Sequence, residues 1–164
     1  MSVSRRASPQ PPLDVELRTI TPENVEDACR ITLRPGQDRY VAPVSYSLAQ
    51  AYAEPEAAWP RLVYERDELV AFVMAGFKDG DPLLHSTIWR LNVAGHAQGR
   101  GVGRFAVRAV AEEAMRRGRR ELYTAYVVGE GSPEGFYLRL GFRPTGRSMD
   151  DMHEAVADVG NLLS

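Results

Sequence analysis

Residues 94–105 read AGHAQGRGVGRF, in which Gly99, Gly101 and Gly103 alternate with Gln98, Arg100 and Val102 directly after an apolar run. The chemistry that suits such a stretch is the holding of a phosphate. Glycines let the main chain come close to an anion, successive N–H groups turn inward, and a helix begun there adds partial positive charge. A Walker-type loop is excluded, because it needs a lysine and then Ser or Thr directly after its last glycine, where this chain has Arg104 and Phe105. The dinucleotide fingerprint fares better, since Gly101, Gly103 and Ala106 satisfy G-x-G-x-x-A. That fold also requires an acid at the far end of the next strand, about 20 residues on, to grip a ribose. Glu121 stands at the beginning of that strand instead. A β-hairpin upstream is equally foreign to a run of parallel βαβ units.

A second concentration of reactive side chains lies between residues 38 and 59, where Asp38, Glu54 and Glu56 are interleaved with Tyr40, Tyr46, Tyr52 and Trp59. Carboxylates among aromatic rings suit a cationic amine, through ion pairing and cation–π attraction. An amphipathic helix that shows a solvated acidic face and buries its tyrosines gives the same pattern.

The elements that must position these groups follow from periodicity and punctuation. VELRTI alternates as a first strand, and TPENVEDACRITL reads as a helix with Thr21 as N-cap and Pro22 at its first position, stopped by Pro35-Gly36. SLAQAYAEPE is a second short helix begun by Ser47 and ended at Pro55. RLVYERDELVAFVMAGF reads as a hairpin turned at Arg66-Asp67, and STIWRLNVA as a further strand. After the glycine loop, RFAVRAVAEEAMRRG carries apolar residues at helical spacing and ends on basic residues and Gly118. ELYTAYVV is a strand, SPEGFYLRLG a short helix from Pro133 to Gly141, and FRPTGR the last strand; residues 149–164 receive no element. The order β-α-α-β-β-β-α-β-α-β implies an α/β fold with a mixed central sheet flanked by helices.

At 164 residues, 44% of them hydrophobic, the chain is long enough for one domain with its own core. The proline-rich start, residues 1–12, reads as a disordered tail and residues 13–164 as the domain. A net charge of −2 gives no polyanion footprint, so nucleic acid is not expected as a partner. With no leader, no membrane-length apolar run and a single cysteine, Cys29, a cytoplasmic protein is the expectation.

Gln98-Gly99-Arg100-Gly101-Val102-Gly103 resembles the [Q/R]-x-x-G-x-[G/A] loop of the GNAT acetyltransferase superfamily. LNVAGHAQGRGVG resembles that family's strand and loop together, and FYLRLGF, residues 136–142, its C-terminal motif. With the order of elements, the similarity runs from about Leu17 to Arg147. VSYSLAQAYAEPE followed by LVYERDELVAFVM is similar to the bacterial spermine/spermidine acetyltransferase-like branch.

The resemblance implies a GNAT fold that binds acetyl-CoA as acetyl donor, without a metal. It assigns Gln98, Gly99, Arg100, Gly101, Val102, Gly103 and Arg104 to the pyrophosphate, and the backbone of Leu91, Asn92 and Val93 to the acetyl carbonyl and pantetheine arm, where a bulge splays the strand from its neighbour. Tyr137 is implied as the acid that protonates the departing thiolate. Many members carry an asparagine seven residues before that tyrosine, where this chain has Glu130; Ser132 is the substitute nearby. The family's two glutamate-base positions fall on Ala125 and near Thr87, so a water polarised by His85, Tyr126 or the backbone is left to remove the amine proton. The acceptor is expected to be a small cationic amine, a polyamine such as spermidine or spermine first, held by Asp38, Tyr46, Glu54 and Glu56. An aminoglycoside-like antibiotic, an amino acid or a protein N-terminus stays open, as does a module that binds acetyl-CoA without turnover. Direct transfer in a ternary complex is implied, and the resemblance admits a homodimer.

Overall fold

In the computed structural model, which describes residues 13–164, Val15–Arg18 forms β1 and pairs antiparallel with β2 (Ala58–Glu65). The tail expected over residues 1–12 lies outside the described residues. β2 turns into β3 (Glu68–Gly76) through Arg66 and Asp67, both at positive φ, the backbone that matches the twist of a two-residue hairpin. β4 (Thr87–Val93) and β5 (Glu121–Val127) follow, then β6 (Arg143–Met149) and β7 (Met152–Asp158). The seven strands stand in the order β1-β2-β3-β4-β5-β7-β6, antiparallel everywhere except between β4 and β5.

Helices cover both faces. α1 (Val25–Cys29) and α2 (Val44–Ala53) lie on one, over a core of Leu62, Phe72 and Met74. α3 (Val102–Arg116), α4 (Glu134–Leu140) and α5 (Val159–Leu163) lie on the other, over Val63, Val73, Ile88 and Leu122. α3 packs tightly because its buried stripe alternates valine with alanine: Val102, Ala106, Val110 and Ala114 follow one another at four-residue steps. Gly101 at positive φ starts it and Gly118 at positive φ ends it.

Several boundaries differ from the sequence expectation. The first helix begins at Val25, not after Thr21, because the Asn24 side chain accepts the Thr21 N–H and donates to the Thr19 carbonyl, holding residues 22–24 in a turn. It ends at Cys29, where the Arg30 N–H turns back to Asp27. α2 starts three residues before Ser47, directly behind Pro43, and Ser47 is buried within it. α3 starts at Val102, two residues before Arg104. FRPTGR is not the last strand: β7 inserts between β5 and β6, and its run Glu154–Ala157 is buried on both faces, which erases the alternation that marks a one-sided strand.

Candidate active site

β4 and β5 share only two rungs, Thr87 with Tyr123 and Ile88 with Thr124, and then part. β4 faces β3 across a register shift: Ile88 stands opposite Ala75 and Arg90 opposite Met74, which leaves Trp89 as the extra residue of a bulge. The bulge is therefore at Trp89, two residues before the expected place. Beyond it, the Ala94 N–H donates to Val70 of β3. Peptide groups alternate in direction along an antiparallel strand, so Leu91 and Val93 turn theirs toward the parting. Between the parted strands opens a cleft of about 950 Å³.

The glycine loop forms one bank. Gly99 and Gly101 have φ of 78° and 91°, backbone that disfavours a side chain, and a Cβ on Gly99 would meet no atom within 4 Å. Gly103 is glycine for another reason: a Cβ there would stand 3.1 Å from the Phe136 ring. Its absence lets the start of α3 approach α4. The Gln98 amide donates to the Val93 carbonyl (3.0 Å), tying the loop to the end of β4.

Tyr137, on α4, stands on the other bank. Its ring lies parallel to Tyr126 (5.9 Å between centroids) and edge-on to Phe136 and Phe142, so the phenol is fixed by aromatic packing on three sides. It borders the cleft yet is only 6% exposed, and burial pushes its pKa up to about 12, partly offset by the Thr124 hydroxyl. Ser132 closes the turn into α4: its Oγ donates to the Val127 carbonyl and accepts the Glu134 N–H.

A strap, residues 33–43, crosses from bank to bank. At one end the Gln37 and Gln98 side-chain amides donate to each other (3.0 and 2.6 Å), and Arg34 reaches the Gly95 carbonyl. At the other, Tyr40 donates its hydroxyl to the Glu130 carbonyl. Both ends rest on glycine: a Cβ on Gly95 would stand 3.1 Å from the Arg34 nitrogen, and one on Gly129 would stand 2.9 Å from the Tyr40 hydroxyl. The Asn92 side chain fixes the middle by donating to the Ala42 carbonyl.

Of the residues expected at the donor, Leu91, Val93, Gln98, Gly99, Gly101, Gly103 and Arg104 border the cleft. Three do not. Asn92 turns its peptide toward β3 and its side chain to the strap, Val102 is a core residue of α3, and Arg100 is bound to Glu65 at 2.9 Å. Arg104 borders the cleft with no ion pair among the described residues, a cation left available. The expected acceptor residues scatter. Asp38 lines the cleft, but Glu54 faces Lys78 (3.7 Å), while Glu56 and the largely exposed Tyr46 lie outside its lining. His85 packs on Tyr123 at the paired end of the strands and does not line the cleft. Glu130 contributes its carbonyl to the strap rather than a side chain to the cleft. Cys29, exposed at the end of α1, is also absent from the lining. Sequence reasoning missed Gln37 and Arg90; their partners are 61 and 40 residues away, and no local pattern marks them.

A sheet parted in this way, with a phosphate-type loop at its mouth, is the architecture of an acyl-CoA-dependent transferase. The sequence pattern of the Acetyltransferase (GNAT) family matches residues 25–142, and the chain belongs to that family. As a member it is an acetyl-CoA-dependent N-acetyltransferase. No curated protein sequence matches it significantly. Among solved structures it is similar to an acetyltransferase from Thermus thermophilus (22% identity, 89% of this chain and 97% of that one, TM-score 0.68). It is also similar to the spermidine N-acetyltransferase from Vibrio cholerae in complex with CoA and spermine (13% identity, 92% and 99%, TM-score 0.68). A third is a ribosomal-protein alanine N-acetyltransferase from Escherichia coli (18% identity, 88% and 94%, TM-score 0.63). Identities this low speak for the shared fold. No helix among the described residues is long and apolar enough to cross a membrane.

Proposed function

We propose that the chain transfers an acetyl group from acetyl-CoA to the primary amine of a small acceptor, by direct attack within a ternary complex. The parted β4/β5 edge carries the reading: it leaves the Leu91 peptide groups and the Val93 N–H without a strand partner, beside a glycine loop on one bank and a buried phenol on the other. The loop fits the donor's pyrophosphate, since Gly99 leaves its space open and Arg104 has no other ion pair among the described residues. Acetyl-CoA supplies an activated acyl group.

The chain's residues supply the rest. The Val93 N–H, free of any strand, donates to the carbonyl oxygen as it gains charge during attack. The ammonium gives one proton to water in the cleft, and the free amine forms the new C–N bond. As the C–S bond breaks, the nitrogen sheds its second proton through water and the departing thiolate takes up a proton from water. Tyr137 stays protonated throughout the neutral range with its pKa at about 12. Passing its proton fully to a thiolate of ordinary pKa near 8.5 climbs by about 5 kcal/mol. Tyr137 therefore acts by donating a hydrogen bond to the leaving sulfur, a weaker aid than full proton transfer.

The spermine complex of the Vibrio cholerae neighbour supports a polyamine as acceptor. The charge of the cleft speaks against it, because Asp38 and Asp151 are its lining carboxylates against five arginines, Arg34, Arg39, Arg90, Arg104 and Arg139. Release of free thiol from acetyl-CoA across a panel of primary amines tests the reading. Turnover with at least one amine is expected; binding of acetyl-CoA with no thiol released by any amine would leave a donor-binding module.

A further inference from the structure

Of the cleft arginines, Arg90 alone is half-buried rather than exposed, and no acid among the described residues pairs with it. It follows the bulge at Trp89 and turns toward α2, where it donates to the Gln50 side chain (2.9 Å) and back to the Trp89 carbonyl (2.9 Å). Its Nε is buried with no partner. Half-buried arginines elsewhere are settled within the fold: Arg119 meets Asp79 at 2.6 Å, Arg108 donates to the Leu162 and Leu163 carbonyls, and Arg61 lies over the Trp59 ring. No carboxylate among the described residues lies within ion-pair distance of Arg90, and burial alone presses its pKa down. A guanidinium drawn partly out of water without an acid gives up hydration that no ion pair returns. The fold keeps one here, beside the parted strands, while Asn92 and the strap hold the adjoining wall.

We propose that Arg90 receives a carboxylate of the acceptor, so that the acetylated amine belongs to an amino-acid-like molecule whose acid lies a few bonds from the reacting nitrogen. A planar carboxylate matches the guanidinium fork, and one negative charge matches one positive charge; a phosphate dianion would bring a second charge that Arg90 does not neutralise. The strap, with Asp38, Arg34 and Arg39 on the same cleft, is suited to a zwitterion better than to a chain of ammonium groups. This inference rests on the N-acetyltransferase reading and narrows its acceptor.

The test uses the full chain with acetyl-CoA and matched pairs of amines: common amino acids, β-alanine and γ-aminobutyrate, each beside its carboxamide, with spermidine and an aminoalkyl phosphate as further arms. The acid of the best pair is expected to exceed its carboxamide in kcat/KM by about 100-fold, the size set by truncating one partner of a desolvated charge pair. Arg90→Gln is expected to collapse that ratio toward one, and Arg90→Lys to keep part of it. A purely structural arginine would lower both members of a pair alike and leave the ratio unmoved, which would overturn the proposal. So would spermidine or the phosphate arm outpacing every carboxylate. If Arg90→Gln does not fold, the acid-to-amide ratio of the unaltered protein decides. Calorimetric titration of the same pairs into the CoA-saturated protein separates the two readings: acids that bind better than amides without thiol release uphold Arg90 and sink the transferase, whereas release without that preference does the reverse.

Discussion

The glycine loop at Gln98–Arg104 and the strap at residues 33–43 face the same cleft, yet they are built on opposite principles. In the loop, the backbone is set locally: Gly99 and Gly101 take conformations that favour glycine, and the helix that follows begins at the next residue. The strap has almost no structure of its own, only the single 3-10 turn Gln37–Arg39, and is held by partners 50 to 91 residues away. A donor that is the same throughout a family is met by a self-contained loop. Acceptor contacts rest on a segment placed by the rest of the fold, and can change without disturbing that loop. Gln37 and Gln98 are where the two meet.

If that division holds, the largest effect should come from the loop and should concern the donor alone. Gly101→Glu puts bulk and negative charge at the start of α3, at a φ of 91° that a side chain resists. Acetyl-CoA at 100 times its Kd should stabilise the unaltered protein by about 2.7 kcal/mol, or a rise in Tm of roughly 5 to 11 °C at this chain length. In Gly101→Glu that rise should vanish. Thermal melts with and without acetyl-CoA check it, and an undiminished rise would detach the loop from the donor.

Tyr137→Phe comes next. Were Tyr137 a full general acid, about 10²- to 10⁴-fold in rate would be at stake. A hydrogen bond to the charged sulfur is worth about 1.5 to 3 kcal/mol, so the expected loss in kcat is about 10- to 100-fold, with the KM for acetyl-CoA nearly unchanged. Phenylalanine keeps the stack on Tyr126 and the two edge contacts, so the fold should stay within about 1 kcal/mol. Steady-state kinetics beside a denaturation curve reads both. A loss beyond 10³-fold would show that the proton is transferred after all, and no loss would make Tyr137 a packing residue.

How much was legible in the sequence follows the same line. The hairpin at Arg66-Asp67, α3, and α4 between Pro133 and Gly141 were readable because turn residues and periodicity act within a few positions. The first two helices were displaced, one shortened by the Asn24 side chain and the other begun early by Pro43. β7 stayed hidden because its run Glu154–Ala157 is buried on both faces and prints no period. Of the residues that border the cleft, the glycines and Tyr137 stand in motifs visible in the sequence, whereas Asn92, Arg100 and Val102 came with the family resemblance and do not line it. Arg100 left for Glu65, a partner in the hairpin that its own surroundings do not announce.

The strap should give a smaller, acceptor-sided effect. Gln37→Ala removes the paired amides and the acceptor of the Arg34 N–H, while Gln98 keeps its bond to Val93. At about 0.5 to 1.5 kcal/mol per hydrogen bond, the KM for the amine should rise about 3- to 10-fold and that for acetyl-CoA by less than about 2-fold. Equal rises in both, in initial-rate kinetics with each substrate varied, would mean that strap and loop act as one unit.

The smallest expected effect is the one that sharpens the contrast most. Glu54 and Glu56 lie in the acidic, aromatic-rich stretch that suggested a cation site, and a sequence argument would make them acceptor ligands. Glu54 follows the last turn of α2 and faces the Lys78 ammonium at 3.7 Å, and Glu56 is exposed in the turn before β2; neither borders the cleft. Partly exposed pairs of this kind contribute about 0.2 to 1 kcal/mol. Replacing both by glutamine should therefore leave the KM for the amine unchanged within about 2-fold and lower stability by no more than that small amount. Asp38→Asn, by contrast, alters a carboxylate that does line the cleft, and should change the KM for the amine alone. A rise for the glutamate pair with none for Asp38 would mean that the acceptor is bound along α2 and not beneath the strap, and the local reading of that stretch would be restored.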